Sequence, residues 1–504
     1  MKRLFPAALL LPLCAFGART AQIKVDLDQA IDAVDPRIYG IFMEPIGRAA
    51  AHFNTLYGPI YDPKSPLADA AGFRTDIIQA ARELGLTQMR WPGGNFTSTY
   101  DWRDGVGPRD QRPRRQELAW GVVESNQVGT DEWVELNREI GSENIVCINA
   151  GTGTLDEARF WVEYCNAPAG TYWADRRVAN GHPQPYGIRL WDLGNEVDGS
   201  PWILAHKDAD DYVKFAVEAA KIMRRASPTP LQFVACGASN YQDNFDWVDW
   251  NEKVVRGLGG IADFLSVHRY WEPSADYYVF MGERAMDLET KISIIASQLR
   301  TVAAVQHRKP MQIAFDEWAP RGGRGPLSTL VVAQFFNAFL RHADVIKMAN
   351  YTLLTSILGR EAGSDRTFKT PLFYTFQLFS RHCRGTALRT FVEGDTFSAG
   401  SYPKIPYLDV SSVYDPQARQ LVFNVVNRDK DGAVGADLES LTGTFAGPAT
   451  VSTIAGDDIG EQAYGYAARE SYPPKVQQAP AQGARFHWEF PAHSFTQIAI
   501  PIAR

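Results

Sequence analysis

The stretch from Arg189 to Ser239 decides the fold, because it holds a strand, a helix and a second strand in succession. It begins with RLWDLGNE at residues 189–196, an apolar run that ends in two polar residues. Asp210–Ala226 follows with the period of an amphipathic helix, and QFVACGAS at residues 232–239 is apolar again. Two strands joined through a helix favour a βαβ unit, in which both strands lie parallel in one sheet.

The same alternation extends in both directions from this unit. Eight apolar runs are typical of strands, and they are Ile38–Pro45, Thr87–Gly94, Asn144–Ala150, Arg189–Glu196, Gln232–Ser239, Ala262–Trp271, Met311–Pro320 and Val345–Leu354. Between them lie segments with helical periodicity, namely Arg74–Leu84, Thr130–Ile140, Leu155–Cys165, Asp210–Ala226, Thr290–Gln306 and Leu327–His342. Strands that alternate with helices predict an α/β fold, and eight such strands predict a closed (β/α)₈ TIM barrel rather than an open sheet.

Beyond about residue 381 the helical periodicity disappears. Short alternating strands such as Tyr407–Val413, Gln420–Asn427 and Phe495–Ile502 are separated by Gly, Pro and Asp clusters, which is typical of a jelly-roll-like β-sandwich. Gln22–Asp28 is a further alternating strand, which we expect to join this β domain. The predicted division is a signal peptide at 1–17, an N-terminal strand at 18–35, a catalytic barrel at 36–380 and a β-sandwich at 381–504.

The first residues have the pattern of an export signal. Met1-Lys2-Arg3 is basic, and Leu4–Phe16 is an apolar run shorter than the ~20 residues that span a bilayer. Cleavage near residue 17 would leave a mature chain that begins at Ala18, and a lipoprotein signal at Cys14 is the alternative. We therefore predict a secreted or periplasmic protein without a membrane span.

Composition indicates a folded globular protein, with 45% hydrophobic and 22% charged residues. A net charge of −7 disfavours a nucleic-acid partner, which would require a basic surface. The cysteines beyond the signal are too irregularly spaced for a disulfide framework or a zinc site, and we expect buried free thiols at Cys147, Cys165, Cys236 and Cys383. Nothing in the sequence predicts a metal or another cofactor.

Polar side chains occur where the predicted strands end, and a barrel carries its active site at that end. They are Glu44 on the first strand, Arg90 and Asn95 on and after the second, Asn195 and Glu196 on the fourth, His268 and Tyr270 on the sixth and Glu317 on the seventh. Glu196 and Glu317 should face each other across the barrel mouth. Glycosidic cleavage needs such a pair, one acid to protonate the leaving oxygen and one to act at the anomeric carbon.

Several segments also resemble one enzyme family, the α-L-arabinofuranosidases of glycoside hydrolase family 51. The similarity runs from about Ile38 to about Phe376, and its segments are RWPGGNF at 90–96, RPRR at 112–115 with LAW at 118–120, GTGT at 151–154, VEYCN at 162–166, WDLGNEVDG at 191–199 and FDEW at 315–318. The segments match in order, which argues against chance agreement. The resemblance implies a retaining hydrolase that acts on terminal arabinofuranosyl groups of plant polysaccharides or oligosaccharides. The chain is also a candidate homo-oligomer.

The resemblance implies roles for individual residues. Glu196 would be the acid/base, Glu317 the nucleophile, and Asn195 would bind the 2-hydroxyl of the sugar. His268 would lie beside the acid/base. The furanose would be held or framed by Glu44, Arg90, Asn95 and Tyr270, and Arg90 near Glu317 would favour the ionised nucleophile.

The chain departs from the family pattern around the site. Pro45 follows Glu44 where the family has histidine, and APRGG at 319–323 replaces Asn-Val-Trp-Tyr after the nucleophile. A glutamine that the family offers to the sugar is replaced near Lys369-Thr370. These changes leave both acids intact and indicate an altered rim of the pocket.

Two other function classes stay open at this point. One is an endo-β-1,4-glucanase or a xylosidase that uses the same acids, and the other is a non-catalytic polysaccharide-binding protein. Two weaker signals have ordinary structural interpretations. The GTG at 151–153 favours a strand-to-helix turn over a dinucleotide-binding fingerprint. The basic run 109–115 favours an internally paired loop over a nucleic-acid-binding patch. His268 lacks a partner histidine at metal-binding spacing, which favours a hydrogen-bonded pocket residue over a metal ligand.

Overall fold

A computed structural model describes residues 19–48, 53–199, 203–321, 325–361, 363–455 and 464–503. Eight parallel strands close into a barrel, in which each strand pairs with its neighbours in chain order and the eighth with the first. The barrel strands are Gly40–Phe42, Gln88–Trp91, Glu143–Cys147, Leu190–Asp192, Gln232–Ala235, Phe264–Trp271, Gln312–Pro320 and Ile346–Thr352. The helices outside them are Thr75–Leu84, Thr130–Ile140, Leu155–Asn166, Tyr172–Ala179, Ala209–Ala226, Trp247–Leu258, Arg284–Val305, Pro326–Arg341, Leu354–Ile357 and Pro371–His382.

The predicted barrel is confirmed, and every predicted strand overlaps an observed one. Six of the observed strands end two to four residues before the predicted run, because those last residues leave the ladder to form the mouth of the barrel, whereas Phe264–Trp271 and Gln312–Pro320 reach their predicted ends. Four helices were not predicted, namely Tyr172–Ala179, Trp247–Leu258, Leu354–Ile357 and Pro371–His382. The predicted start at Thr290 is six residues late, since the helix begins at Arg284 after a π-helical turn at Val279–Glu283.

The barrel interior is a packed core. Six strands each contribute one buried apolar side chain to a layer inside it, made of Ile145, Leu190, Val234, Phe264, Ala314 and Met348. Aromatic residues pack between the strands and the surrounding helices: Trp91 stacks on Trp133 at 5.5 Å, and Trp161 lies edge-on to both Trp91 and Trp191. A filled barrel leaves only its ends for ligands.

The C-terminal part is a sheet of eleven strands with its own apolar core. Its main path runs in the order Lys475–Ala479, Ala449–Ala455, Ser494–Ala503, Gln420–Asn427, Leu408–Asp415, Thr386–Gly394, Arg19–Ala33, Val434–Ser440 and Arg485–Phe490, with Thr444–Ala446 and Gln482–Gly483 attached beside it. Arg19–Ala33 therefore lies inside this sheet, antiparallel to Thr386–Gly394 and parallel to Val434–Ser440. Four two-stranded hairpins complete the structure, namely Gly47–Arg48 with Phe53–Asn54, Arg115–Gln116 with Val123–Glu124, Leu358–Arg360 with Thr367–Lys369, and Thr396–Ala399 with Tyr402–Pro406.

The two parts are joined through the barrel helices Pro326–Arg341 and Pro371–His382. Arg341 binds Asp409 of the sheet at 3.0 Å, and Asn337 donates to the same carboxylate at 2.9 Å. Phe379 stacks on Phe495 at 5.2 Å. Within the described residues, no helix has both the length and the apolar character needed to cross a membrane.

Candidate active site

A cavity of about 400 Å³ lies at the carboxyl ends of the barrel strands. Segments after the first and second strands form one wall, which includes Glu44, Asn95 and Trp120. Segments after the fifth to seventh strands form the opposite wall, and Glu196 and Glu317 lie between the two. The structure therefore brings the predicted residues together at one place.

Glu196 and Glu317 lie close to each other, with His268 between them. One ligand atom from each of the three side chains lies within 4.8 Å of the other two. His268 Nδ1 is 2.9 Å from Glu196 Oε1 and 3.5 Å from Glu317 Oε2. Carboxyl groups about 5–5.5 Å apart are typical of retaining glycosidases, whereas inverting enzymes separate them by roughly 6.5–9.5 Å.

The backbone presents Glu196 to the cavity in an unusual conformation. Glu196 has φ +44°, in the left-handed region that non-glycine residues rarely adopt, and it follows Gly194 at φ +113°. The fourth strand ends at Asp192, so the chain turns sharply before the acid. Such strain persists where surrounding contacts hold it and is found mainly at functional sites.

An irregularity in the seventh strand turns two successive carboxylates towards the barrel axis. In a regular strand Asp316 and Glu317 would point to opposite faces, but the register with both neighbouring strands shifts at this point. Asp316 therefore binds His268 Nε2 at 3.2 Å and accepts from Ser266 at 2.5 Å. Glu317 reaches the cavity floor.

Arg90 lies beneath the cavity and is fully buried. Its Nη1 donates to Glu317 Oε1 at 2.9 Å and its Nη2 to Asn195 Oδ1 at 2.9 Å, while Nε binds Asp192. Because no part of its side chain is exposed, Arg90 is placed to position Glu317 and Asn195. Its contact with the furanose stays a prediction.

The carboxylates around His268 hold it in its charged form. Burial opposes an imidazolium, but Glu317 and Asp316 outweigh this effect and raise the pKa of His268 well above its ordinary value. Burial likewise raises the pKa of the Glu317 carboxyl, and the charges of His268 and Arg90 oppose that rise. The same carboxylates therefore favour the protonated form of the imidazole that lies between the two acids.

Tyr270 and Asn195 complete the surroundings of the pair. The Tyr270 hydroxyl donates to Glu317 Oε2 at 2.7 Å and lies 3.3 Å from Thr352 Oγ1. Among the described residues, the buried Asn195 Nδ2 has no hydrogen-bond partner, which leaves it able to donate to a ligand.

Glu44 lies at the closed end of the cavity. Its Oε1 accepts from the Phe96 backbone N–H and from Trp120 Nε1, both at 2.8 Å. Burial, followed by the charge of Glu317, raises the pKa of Glu44 well above its usual range. Gly94 permits this approach, since a Cβ there would lie 2.0 Å from Glu44 Oε2. Asn95, beside it, accepts from the Leu204 backbone N–H at 3.2 Å.

Several residues of this site were not predicted from the sequence. Asp316 is missed because strand alternation would have placed it outside, and Trp120 because it lies on a long loop. Asp198 binds the backbone of Ser239 and Asn240 at 2.6 and 3.0 Å and so holds one cavity wall in place. Lys369 binds Glu83 and does not line the cavity, so the glutamine replacement expected near Lys369-Thr370 stays a prediction.

The weaker signals have structural explanations. The basic loop is internally paired, with Arg109 and Arg112 on Glu132 and Arg115 on Asp104. All four cysteines in the described residues are buried and free, as expected. The cluster of Glu196, His268 and Glu317 also has the spacing to hold a metal ion.

A (β/α)₈ barrel with a carboxyl pair across its mouth defines a glycoside hydrolase. Family models agree, since the α-L-arabinofuranosidase 1 domain matches residues 80–276 and the α-L-arabinofuranosidase C-terminal domain matches residues 327–494. The chain belongs to the α-L-arabinofuranosidases of glycoside hydrolase family 51, and it is a glycosidase.

Individual relatives support this assignment. An intracellular exo-α-(1→5)-L-arabinofuranosidase of Bacillus subtilis is 35% identical over 438 residues, which cover 82% of this chain and 86% of the relative. The crystal structure of the α-L-arabinofuranosidase of Thermotoga maritima in complex with arabinose superposes with a TM-score of 0.83 at 30% identity, covering 95% and 99% of the two chains. The family 51 α-L-arabinofuranosidase of Bifidobacterium longum gives a TM-score of 0.86 at 27% identity, covering 95% and 99%.

The predicted location of the protein is wrong. Relatives from Bacillus subtilis, Halalkalibacterium halodurans, Streptomyces lividans and Acetivibrio thermocellus are all named intracellular enzymes, which contradicts a secreted or periplasmic protein. The predicted signal peptide at 1–17 lies outside the described residues. A short apolar run after basic residues is a pattern of composition alone, and it did not identify an export signal here.

Proposed function

We propose that this chain is a retaining exo-acting α-L-arabinofuranosidase, with Glu317 as nucleophile and Glu196 as acid/base. The observation that carries the proposal is the close approach of these two carboxyl groups, within 4.8 Å at their nearest, in one cavity. The expected spacing of a retaining pair supports double displacement over single displacement.

In the first step, a Glu317 oxygen attacks the anomeric carbon while the bond to the leaving oxygen breaks. Glu196 gives its proton to that oxygen, so the products are a free alcohol and an arabinosyl ester of Glu317. Arg90 and Tyr270 hold the two Glu317 oxygens at 2.9 and 2.7 Å and so orient the attack. His268 Nδ1 lies 2.9 Å from Glu196 Oε1 and is placed to donate to the Glu196 carboxylate that has lost its proton, which stabilises the product of proton transfer.

In the second step, a water molecule attacks the anomeric carbon and gives a proton to Glu196. The ester bond breaks and Glu317 leaves as a carboxylate, again held by Arg90 and Tyr270. Two inversions at one carbon give net retention of configuration.

The glycone side of the cavity supports action on a terminal sugar. Glu44, Asn95 and Trp120 close it, and Glu44 is only 3% exposed, so a chain could not continue through this wall. Together with the free Nδ2 of Asn195, these polar atoms suit the hydroxyls of a single pentose. Arabinose-containing plant polysaccharides and their oligosaccharides are the proposed substrates. We also propose domain boundaries near residues 35 and 380, which the strand pairings support.

Hydrolysis of 4-nitrophenyl α-L-arabinofuranoside, followed by NMR of the first sugar formed, tests the proposal. We expect free arabinose with the α configuration, at a rate far above that for the β-D-xyloside or β-glucan. An initial β product would contradict double displacement. Binding without hydrolysis would instead favour a non-catalytic protein, and release of internal fragments from a β-glucan would favour an endo-glucanase.

A further inference from the structure

The two walls of the cavity differ in their exposure to solvent. This difference indicates which wall contacts the terminal sugar and which contacts the leaving group. The wall with Glu44 is closed. The opposite wall carries Glu272 and Arg321, whose side chains are 47% and 59% exposed, and it opens to solvent. A polymer attached to the terminal sugar has to emerge through the open wall, so that wall contacts the leaving group.

Among the described residues of the open wall, Arg321 is the cation best placed to bind a ligand. Its Nε lies 3.3 Å from Glu272, and its guanidinium lies 4.9 Å from the centre of the Tyr270 ring. A single exposed ion pair of this kind is weak, and a better-placed carboxylate competes with it readily. The contact with the Tyr270 ring keeps the guanidinium beside the cavity, and a guanidinium fork matches a carboxylate in geometry.

The second arginine of this wall does not serve the same purpose. Arg269 stacks over Tyr241 at 5.2 Å and binds Asp287 at 2.5 Å, and Asp287 does not line the cavity. The charge of Arg269 is therefore neutralised by a residue outside the cavity lining, and the Arg269 side chain is mostly buried. This leaves Arg321 as the accessible positive charge on the leaving-group side among the described residues.

We propose that Arg321 forms a leaving-group subsite for an anionic sugar, a uronic acid residue to which the arabinofuranose is attached. The inference rests on the proposed hydrolase activity and names the class of its leaving group. The ligand carboxylate replaces Glu272 on the guanidinium while the sugar ring lies near Tyr270. Glu272, freed from Arg321, remains close enough to repel a second anion and so limits the subsite to one.

The test compares 4-carboxyphenyl and 4-carbamoylphenyl α-L-arabinofuranosides, which present a charged and a neutral group of nearly equal shape. The measured quantity is the ratio of their kcat/KM values in each variant, because dividing by the wild-type ratio removes the intrinsic difference between the two phenols. In Arg321→Gln we expect this ratio to fall roughly twofold to fivefold, the upper part of the range for one exposed charge pair. In Glu272→Gln we expect it to rise about twofold or more, because the competing anion is removed.

Arg300→Gln is the matched control, since Arg300 is 58% exposed, pairs with Asp344 and lies on an outer helix away from the cavity. It removes the same charge and should leave the ratio unchanged. If Arg321→Gln changes both substrates equally, or changes neither, the anionic subsite is wrong although the hydrolase activity stands. If wild-type protein hydrolyses neither substrate, the proposed function fails and the subsite fails with it.

Discussion

Replacing Tyr270 by phenylalanine removes one hydroxyl, which donates to Glu317 Oε2 at 2.7 Å. A hydrogen bond to a charged partner contributes about 1.5–3 kcal/mol. In the arabinosyl ester the Glu317 oxygens carry little charge, so the bond is weak there and strengthens as the carboxylate leaves. If about half of it has formed in the second transition state, its loss costs about 0.75–1.5 kcal/mol, which makes the second step roughly fourfold to twelvefold slower.

Pre-steady-state hydrolysis of a dinitrophenyl arabinofuranoside measures this effect. We expect a burst of phenol followed by slow turnover, with kcat and KM falling together and kcat/KM nearly unchanged at neutral pH. The hydroxyl also lowers the pKa of Glu317, so its removal raises that pKa further. Because Glu317 must be ionised to attack, the acid limb of kcat/KM should move to higher pH.

Tyr186→Phe is the control, since this hydroxyl donates to Asp131 at 2.6 Å and neither residue lines the cavity. It should produce no burst and no shift of the acid limb. A Tyr270→Phe enzyme that loses only kcat/KM, without a burst and with an unchanged acid limb, would refute the reasoning.

Three further outcomes follow from other contacts. Gly94→Ala should reduce kcat/KM severely while the protein still folds. The new Cβ would lie 2.0 Å from Glu44 Oε2, at a residue with φ +49°. Near-normal kinetics would show that Glu44 does not need this position. Asp198→Asn turns an amide towards the backbone N–H donors of Ser239 and Asn240. We therefore expect KM for oligosaccharides to rise roughly tenfold with little change in Tm. An unchanged KM would show that Asp198 does not hold this cavity wall in place. Glu289 binds Arg341 at 2.6 Å. Burial opposes ionisation, but Arg341 outweighs this effect and the pKa of Glu289 is lowered to about 2. The ion pair therefore stabilises the folded state above about pH 4.5, and this stabilisation is lost as the pH falls towards 2. Urea unfolding of Glu289→Gln should show a deficit of about 2–3 kcal/mol at pH 7 that shrinks below pH 4.5, whereas a deficit independent of pH would exclude an ionic origin.

The barrel was predictable because its signal is repeated. Each of the eight strands is an apolar run bounded by turn residues, and the polar residues that end them meet at one edge by the geometry of parallel strands. Glu196 and Glu317 therefore stood out from the sequence alone. Trp247–Leu258 was missed because it follows a polar segment and its cap depends on a contact formed in the fold, in which the Asp246 side chain accepts from Val248 and Asp249.

The parts of the site that were not predictable depend on long-range packing. The register shift that turns both Asp316 and Glu317 inwards exists only between paired strands and leaves no local pattern. The same holds for Arg90, whose position on the second strand gives no sign that its guanidinium lies below the cavity rather than in it. Arg321 was visible only as a departure, and its partners Glu272 and Tyr270 come from the sixth strand and the segment after it.

The most direct test of the central claim is the reaction of the Glu196→Ala variant with a dinitrophenyl arabinofuranoside. The first step needs no proton donor with this leaving group, whereas the second lacks its base, so the arabinosyl ester should accumulate. Mass spectrometry of peptides should then place one pentosyl group on Glu317, and azide should restore turnover and yield an arabinosyl azide of retained configuration. A pentosyl group on another residue, or no adduct together with no azide effect, would contradict the assignment of Glu317 as nucleophile and Glu196 as acid/base.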